Sequence, residues 1–257
     1  MHPILLKFGP ITLYSYGLLV ALGVLAGLGA IDLEAKRMGW NRDLLSKLAV
    51  LTFVMGLVGG RVAYVLTRLG SDDALSTLFD PHAGFVFFGG LIASWLFIYW
   101  QTKKRKLPLW PVLDAFALAI CVGEGIGRFG CLLGGCCYGK PTSLFWGVAM
   151  VNEPALGHLH PVQAYEGLAL LAFFAFLWSR RARKDYEGES VVFFVGGYSV
   201  IRFFIEMFRG DAIRGFFIPG VISTSQAVGL AMIAVVTALH LKLRSAPNPQ
   251  VKSGKKR

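Results

Sequence analysis

Seven runs of predominantly apolar residues, each close to the ~20 needed to carry an α-helix across a bilayer, constrain this chain more than any other feature. They fall at about 13–31, 48–66, 84–100, 112–133, 160–178, 191–208 and 221–241. No water satisfies a backbone N–H or C=O inside hydrocarbon, so runs of this kind cross as helices. The expectation is an all-α integral membrane protein with seven transmembrane helices, one domain over 1–243 and a basic, disordered tail over 244–257. With 55% hydrophobic and 16% charged residues, the sequence has no stretch that would supply a second, polar domain. The N-terminus lacks the charged region and small-residue cleavage site of a removable signal peptide, so the first run is expected to remain as a helix.

A formal net charge of +11 raises the question of nucleic acid. The basic residues, however, sit in short clusters between apolar runs and do not line one polar face, so no nucleic-acid partner is expected. They read instead as topology signals. Loops after the first, third, fifth and seventh runs hold eighteen Lys and Arg, whereas the N-terminus and the other loops hold five. This predicts a multi-pass protein with the N-terminus outside and the C-terminus in the cytoplasm.

Three of the 26 basic residues lie within runs: Arg61, Arg128 and Arg202. In the predicted orientation all three fall toward the outer leaflet. Polar groups accompany them at that depth: Tyr16 in the first run, His160, Gln163, Tyr165 and Glu166 at the start of the fifth, and Tyr198, Glu206 and Arg209 around Arg202. Glu124 and Arg128, like Arg202 and Glu206, are spaced i, i+4 and share a helix face. An ionisable group inside a bilayer costs at least ~2.5–3.5 kcal/mol unless it is paired or hydrated. These pairs serve either as interhelical glue or as an anion site, because Arg stays ionised and offers phosphate a planar fork of donors.

The stretch from Gly123 to Gly139 favours the anion site. Gly127, Gly130, Gly134 and Gly135 would let the backbone approach a lipid headgroup, although each also permits tight helix packing. Cys121, Cys131, Cys136 and Cys137 are concentrated there. Their spacing matches no Cys-x2-Cys pair and vicinal cysteines seldom bridge, so packing is expected before a disulfide, and neither a metal nor a cofactor is expected.

Six ordered blocks carry a resemblance: Tyr14-Ser15-Tyr16-Gly17, Gly59-Gly60-Arg61, Phe88-Gly89-Gly90-Leu91, Gly127-Arg128-Phe129-Gly130, His160-Pro161-Val162-Gln163-Ala164-Tyr165-Glu166, and Tyr198 through Arg202 and Glu206 to Arg209. In order and spacing the chain resembles the bacterial prolipoprotein diacylglyceryl transferases over nearly its whole length. The resemblance implies transfer of the diacylglyceryl group of phosphatidylglycerol to the thiol of a lipobox cysteine in a preprolipoprotein signal peptide. A thioether forms and glycerol phosphate is released, at the outer leaflet. It also implies Arg128, Arg202 and His160 as catalytic candidates. Tyr16, Arg61, Gly127, Gly130, Tyr165, Glu166, Tyr198, Glu206 and Arg209 are then the candidates for binding substrate, with Glu206 orienting Arg202.

Two departures qualify it. Members of that family carry a histidine where this chain has Phe88, and Asn or Glu where it has Cys131, Gly134 and Cys136. Phenylalanine accepts no proton, so thiol activation is expected to rest on the field of Arg128, Arg202 and Arg209. The alternatives are a related lipid transferase with another acceptor and a non-enzymatic transporter of anionic lipid.

Overall fold

The computed structural model describes residues 3–9, 11–69, 76–78, 84–151, 153–210, 215–218 and 221–245. The chain is mostly helical. Among the described residues its long helices are α1 (Ser15–Arg37), α2 (Arg42–Leu66), α3 (Phe87–Lys104), α4 (Leu109–Gly134), α5 (Val162–Arg180), α6 (Glu189–Phe208) and α7 (Thr224–Ser245). Six are long and apolar enough to cross a membrane; α3 is not among them, because Gln101, Thr102, Lys103 and Lys104 dilute its last turn. The helices overrun the apolar stretches at several ends, since polar residues continue a helix into the interfacial region. Thus α2 starts at Arg42, behind an Asn41 side chain that accepts from the Leu44 N–H at 3.0 Å. Of the tail expected over 244–257, Arg244 and Ser245 belong to α7, and 246–257 lies outside the described residues.

Short antiparallel ladders fill three of the connections. β1 (Ile4–Phe8) pairs with β2 (Ile11–Tyr14) ahead of α1, β3 (Val148–Ala149) with β4 (His158–Leu159) ahead of α5, and β5 (Phe216–Ile218) with β6 (Ile222–Ser223) ahead of α7. The first of these displaces the expected start of the first span from 13 to Ser15.

The chain packs as two compact units, Met1–Ala30 with Leu113–Arg257, and Ile31–Val112. In the second unit α2 and α3 run antiparallel at close range: a Cβ on Gly59 would lie 2.2 Å from that of Ala93, and one on Gly89 2.2 Å from that of Ala63. The Gly-Gly pairs at 59–60 and 89–90 are therefore packing devices here.

In the first unit α4 is the central helix, with 56% of its apolar window buried against 11% for α7. It lies antiparallel to α1 through small residues; a Cβ on Gly23 would meet the Gly123 carbonyl at 2.6 Å. Against α5 the contact is equally close, with a Cβ on Gly167 3.0 Å from the Gly125 carbonyl and 3.3 Å from the Arg128 Cβ. Where α5 turns into α6, buried Asp114 of α4 accepts from the N–H groups of Gly188 and Val191, both at 2.9 Å, and pairs with Lys184 at 2.8 Å. A carboxylate there complements the α6 N-terminus. Glu189, 2.9 Å from Arg180, and Tyr186, whose hydroxyl lies 2.6 Å from His240 Nδ1, complete this corner. Burial pushes the Tyr186 hydroxyl up to about 12.

Candidate active site

The close approach of α4 and α5 at Gly125 and Gly167 places Arg128 beside Glu166, and the site grows from that contact. Arg128 Nη2 lies 2.9 Å from Glu124 Oε1 on its own helix and 2.9 Å from Glu166 Oε1 on α5. The other oxygen of Glu166 is 3.4 Å from Arg202 Nη1 on α6, whose Nη2 is 3.0 Å from Glu206 Oε2. Tyr198 closes the loop by donating its hydroxyl to Glu124 Oε1 at 3.2 Å. One carboxylate with 2% of its side chain exposed thus bridges two arginines across three helices.

Charge and donor counts bear on what this chain can do. Three carboxylates face two guanidiniums, and Arg209, buried where α6 ends, acts electrostatically on Glu166 and restores neutrality. Arg128 meets both partners through Nη2 alone among the described residues, leaving Nε and Nη1 as two separate donors that point in different directions. Arg202 is held at both Nη atoms, leaving Nε. Each of these donors can give a charge-assisted hydrogen bond to a phosphate oxygen.

The glycine-rich stretch is pinned around these helices. Gly135, at φ +74°, ends α4: its N–H donates to the Leu132 carbonyl at 3.2 Å, and that of Cys136 to the Cys131 carbonyl at 3.1 Å. This is a Schellman cap, which brings the residue after the glycine against the one five positions earlier. Beyond it Gln163 Nε2 donates to the Cys136 carbonyl, Lys140 N–H to that of Phe208 at 2.8 Å, and Gly210 N–H to that of Tyr138 at 3.3 Å. Gly139 has no room for a side chain, since a Cβ would lie 2.6 Å from the His160 Cβ. The Sγ atoms of Cys131, Cys136 and Cys137 all lie within 4.8 Å of one another. Hydrogen bonds from Cys131 and Cys136, then the guanidiniums of Arg209 and Arg128, hold the Cys137 thiol below its ordinary value.

The structure separates the sequence-derived candidates into groups. Arg128, Arg202, Glu166, Glu206 and Tyr198 form the network. Half-exposed Tyr16 lies against α4: Cβ positions on Gly130 and Gly134 would be 3.4 Å from its ring and 3.7 Å from its Cβ. Gly130 is thereby a packing glycine, whereas a Cβ on Gly127 would meet nothing within 4 Å. His160 and Tyr165 stand together elsewhere: the Tyr165 hydroxyl accepts from Trp146 Nε1 at 2.7 Å and lies 3.2 Å from His160 Nδ1, with Phe208 beside both rings. Among the described residues no hydrogen bond or ion pair joins His160 to Arg128 or Arg202. Arg61 belongs to the other unit, where its Nη1 donates to the Gly84 carbonyl at 2.9 Å.

Sequence reasoning left the Glu166 bridge unassigned, because both its partners lie on other helices and no spacing rule reports them. It placed Gln163 among the polar groups at this depth but gave it no role; the residue is 1% exposed and its Oε1 has no hydrogen-bond partner among the described residues.

Comparison with known proteins is consistent across the chain. A family profile described as prolipoprotein diacylglyceryl transferase matches residues 3–242. A phosphatidylglycerol–prolipoprotein diacylglyceryl transferase of Clostridium tetani (strain Massachusetts / E88) is 35% identical over 241 residues, 91% of this chain and 95% of that protein. One from Pseudoalteromonas atlantica is 32% identical over 215 residues, 81% of this chain and 76% of that protein. A second transferase of that name from Clostridium perfringens is 30% identical over 227 residues, 86% and 87% of the two chains. With its arginine–glutamate network built on α4, α5 and α6, this chain belongs to the prolipoprotein diacylglyceryl transferase family.

Proposed function

We propose that this protein transfers the diacylglyceryl group of phosphatidylglycerol to the lipobox cysteine thiol of preprolipoproteins, releasing glycerol phosphate. The observation that carries the reading is the guanidinium of Arg128, fixed by Glu124 and Glu166 through one nitrogen, with Nε and Nη1 left as separate donors among the described residues. When the C–O bond to the headgroup breaks, negative charge collects on the phosphate. A preorganised donor aimed at that charge stabilises the transition state more than the ground state. Arg202 Nε adds a second donor, and Glu166 holds both guanidiniums in register. The open space at Gly127 lets a headgroup approach the α4 backbone. Gln163 Oε1, buried and without a donor among the described residues, accepts a headgroup hydroxyl.

In this reading the chain crosses the membrane seven times, α3 included, with the N-terminus outside and the arginine network at the outer leaflet. The asymmetry of eighteen loop Lys and Arg against five supports that orientation. The test is transfer of radiolabelled diacylglycerol from phosphatidylglycerol to a lipobox peptide by the purified protein, with a Cys→Ser peptide beside it. Label on the cysteine peptide alone supports the proposal. Label on neither peptide, or equal labelling of both, contradicts it.

A further inference from the structure

The cysteine cluster is the feature of the site that the reaction just described does not use. Spacing gave no hint of a ligand set, since Cys131, Cys136 and Cys137 follow no Cys-x2-Cys pattern. Folding supplies what spacing lacks. The Schellman cap brings Cys136 back over Cys131, with its Sγ 3.7 Å from the Cys131 carbonyl oxygen. Cys137 then takes φ +62°, a left-handed conformation that glycine would adopt at no cost, and its Sγ comes to 3.6 Å from that of Cys136. A tetrahedral zinc site with bonds of about 2.3 Å has S···S edges of about 3.8 Å. The three sulfurs, all within 4.8 Å of one another, fall close to one face of such a tetrahedron.

Resting on the proposed diacylglyceryl transfer, we infer that Cys131, Cys136 and Cys137 bind one Zn2+ as three thiolates, and that its open fourth position takes the acceptor thiol of the lipobox peptide. Three protein ligands with one position open is the arrangement of catalytic zinc, whereas structural sites use four. Packing explains two of the thiols as the side-chain contact of the helix cap, but not the third. A disulfide would consume two and leave one; a metal engages all three. The bound ion and three thiolates carry one net negative charge, and Arg209 and Arg128 lie within electrostatic range of Cys137 to offset it.

The chemistry replaces the missing base at Phe88. A thiol that coordinates zinc is deprotonated, and its proton leaves to water at the membrane surface. The zinc-bound sulfur forms a bond to the glyceryl carbon, the bond from that carbon to the phosphate oxygen breaks, and the oxygen keeps the electron pair. Glycerol phosphate departs with a second negative charge beside Arg128. The product is a neutral thioether, a weaker ligand than a thiolate, so it leaves the metal and the site is restored.

The test uses the full-length protein in detergent, loaded with Zn2+ and, separately, with Co2+. One zinc per chain is expected, lost in each of Cys131→Ser, Cys136→Ser and Cys137→Ser and kept in Cys121→Ser. Helix content and thermal unfolding identify any variant that fails to fold, and for such a position the Cys→Ala variant is read instead. The cobalt-loaded protein should show thiolate-to-cobalt charge transfer that changes on adding a lipobox peptide and stays unchanged with its Cys→Ser form. Chelation should abolish diacylglyceryl transfer and Zn2+ restore it. Full transfer by protein shown to be metal-free, or a disulfide among the three cysteines in active protein, would overturn the inference while leaving the proposed function standing. Zinc binding with the peptide-dependent cobalt change, but no transfer from phosphatidylglycerol, would support the metal site and overturn the proposed function.

Discussion

Helices α4, α5 and α6 carry ionic clusters at both ends, and the two clusters are satisfied differently. At one end Asp114 receives two backbone N–H groups and Lys184, while Glu189 takes Arg180 and the Asp185 N–H. Each of these two carboxylates pairs with a cation and accepts from backbone N–H groups. Fourteen residues along α4 from Asp114, about 21 Å of helix, Arg128 is held by two glutamates through a single nitrogen. There Gln163 Oε1 is buried without a partner among the described residues, and three thiols crowd together. The first cluster is closed and joins elements; the second holds donors and acceptors in reserve. Buried ion pairs contribute little net stability against an apolar core but are costly to break on one side. Charge alone therefore does not separate function from structure, and unspent hydrogen-bonding capacity does.

Substitutions can break that contrast. The largest effect is expected from Arg128→Ala, which should lower transfer from labelled phosphatidylglycerol by ~10²–10³-fold, as loss of a preorganised donor does. Arg128→Lys should fail to rescue it, since a point charge lacks the planar fork. Asp114→Asn should cost ~1–3 kcal/mol by weakening its pairing with partly buried Lys184 and with the two backbone N–H groups it accepts from, seen as a lower midpoint of thermal unfolding, while each folded molecule keeps its activity. Glu166→Gln should lower both, because its carboxylate both pairs and positions; activity loss without destabilisation would remove it from the structural role. Gly23→Ala, which must push against the Gly123 carbonyl, should destabilise by ~1–3 kcal/mol. Gly127→Ala has open space and should leave unfolding unchanged while raising the KM for phosphatidylglycerol. Tyr198→Phe removes one hydrogen bond to a carboxylate and should have the smallest effect, a decrease in transfer of less than about tenfold.

Much of this was legible in the chain because it is local. Apolar run length located the helices, and i, i+4 spacing paired Glu124 with Arg128 and Arg202 with Glu206. The α3 run, diluted by Gln101, Thr102, Lys103 and Lys104, was legible as a helix though it falls short of a membrane span by hydropathy. What depends on contacts between helices was not legible. Glu166 gives no sign in sequence of facing two arginines, and His160, attractive as a titratable group at a helix start, turns to Tyr165 and Phe208. The thiol cluster lies between these cases. The helix-cap signature was present in Cys131, Gly135 and Cys136, but reading cysteines against Cys-x2-Cys spacing concealed it.

The most direct measurement compares Arg128→Ala with Asp114→Asn in one assay of diacylglyceryl transfer from phosphatidylglycerol to a lipobox peptide, scaled to folded protein. The account predicts near-complete loss in the first and retained turnover in the second. Equal loss in both, or normal transfer by Arg128→Ala, would show that the network around Arg128 is only another ionic corner of the bundle.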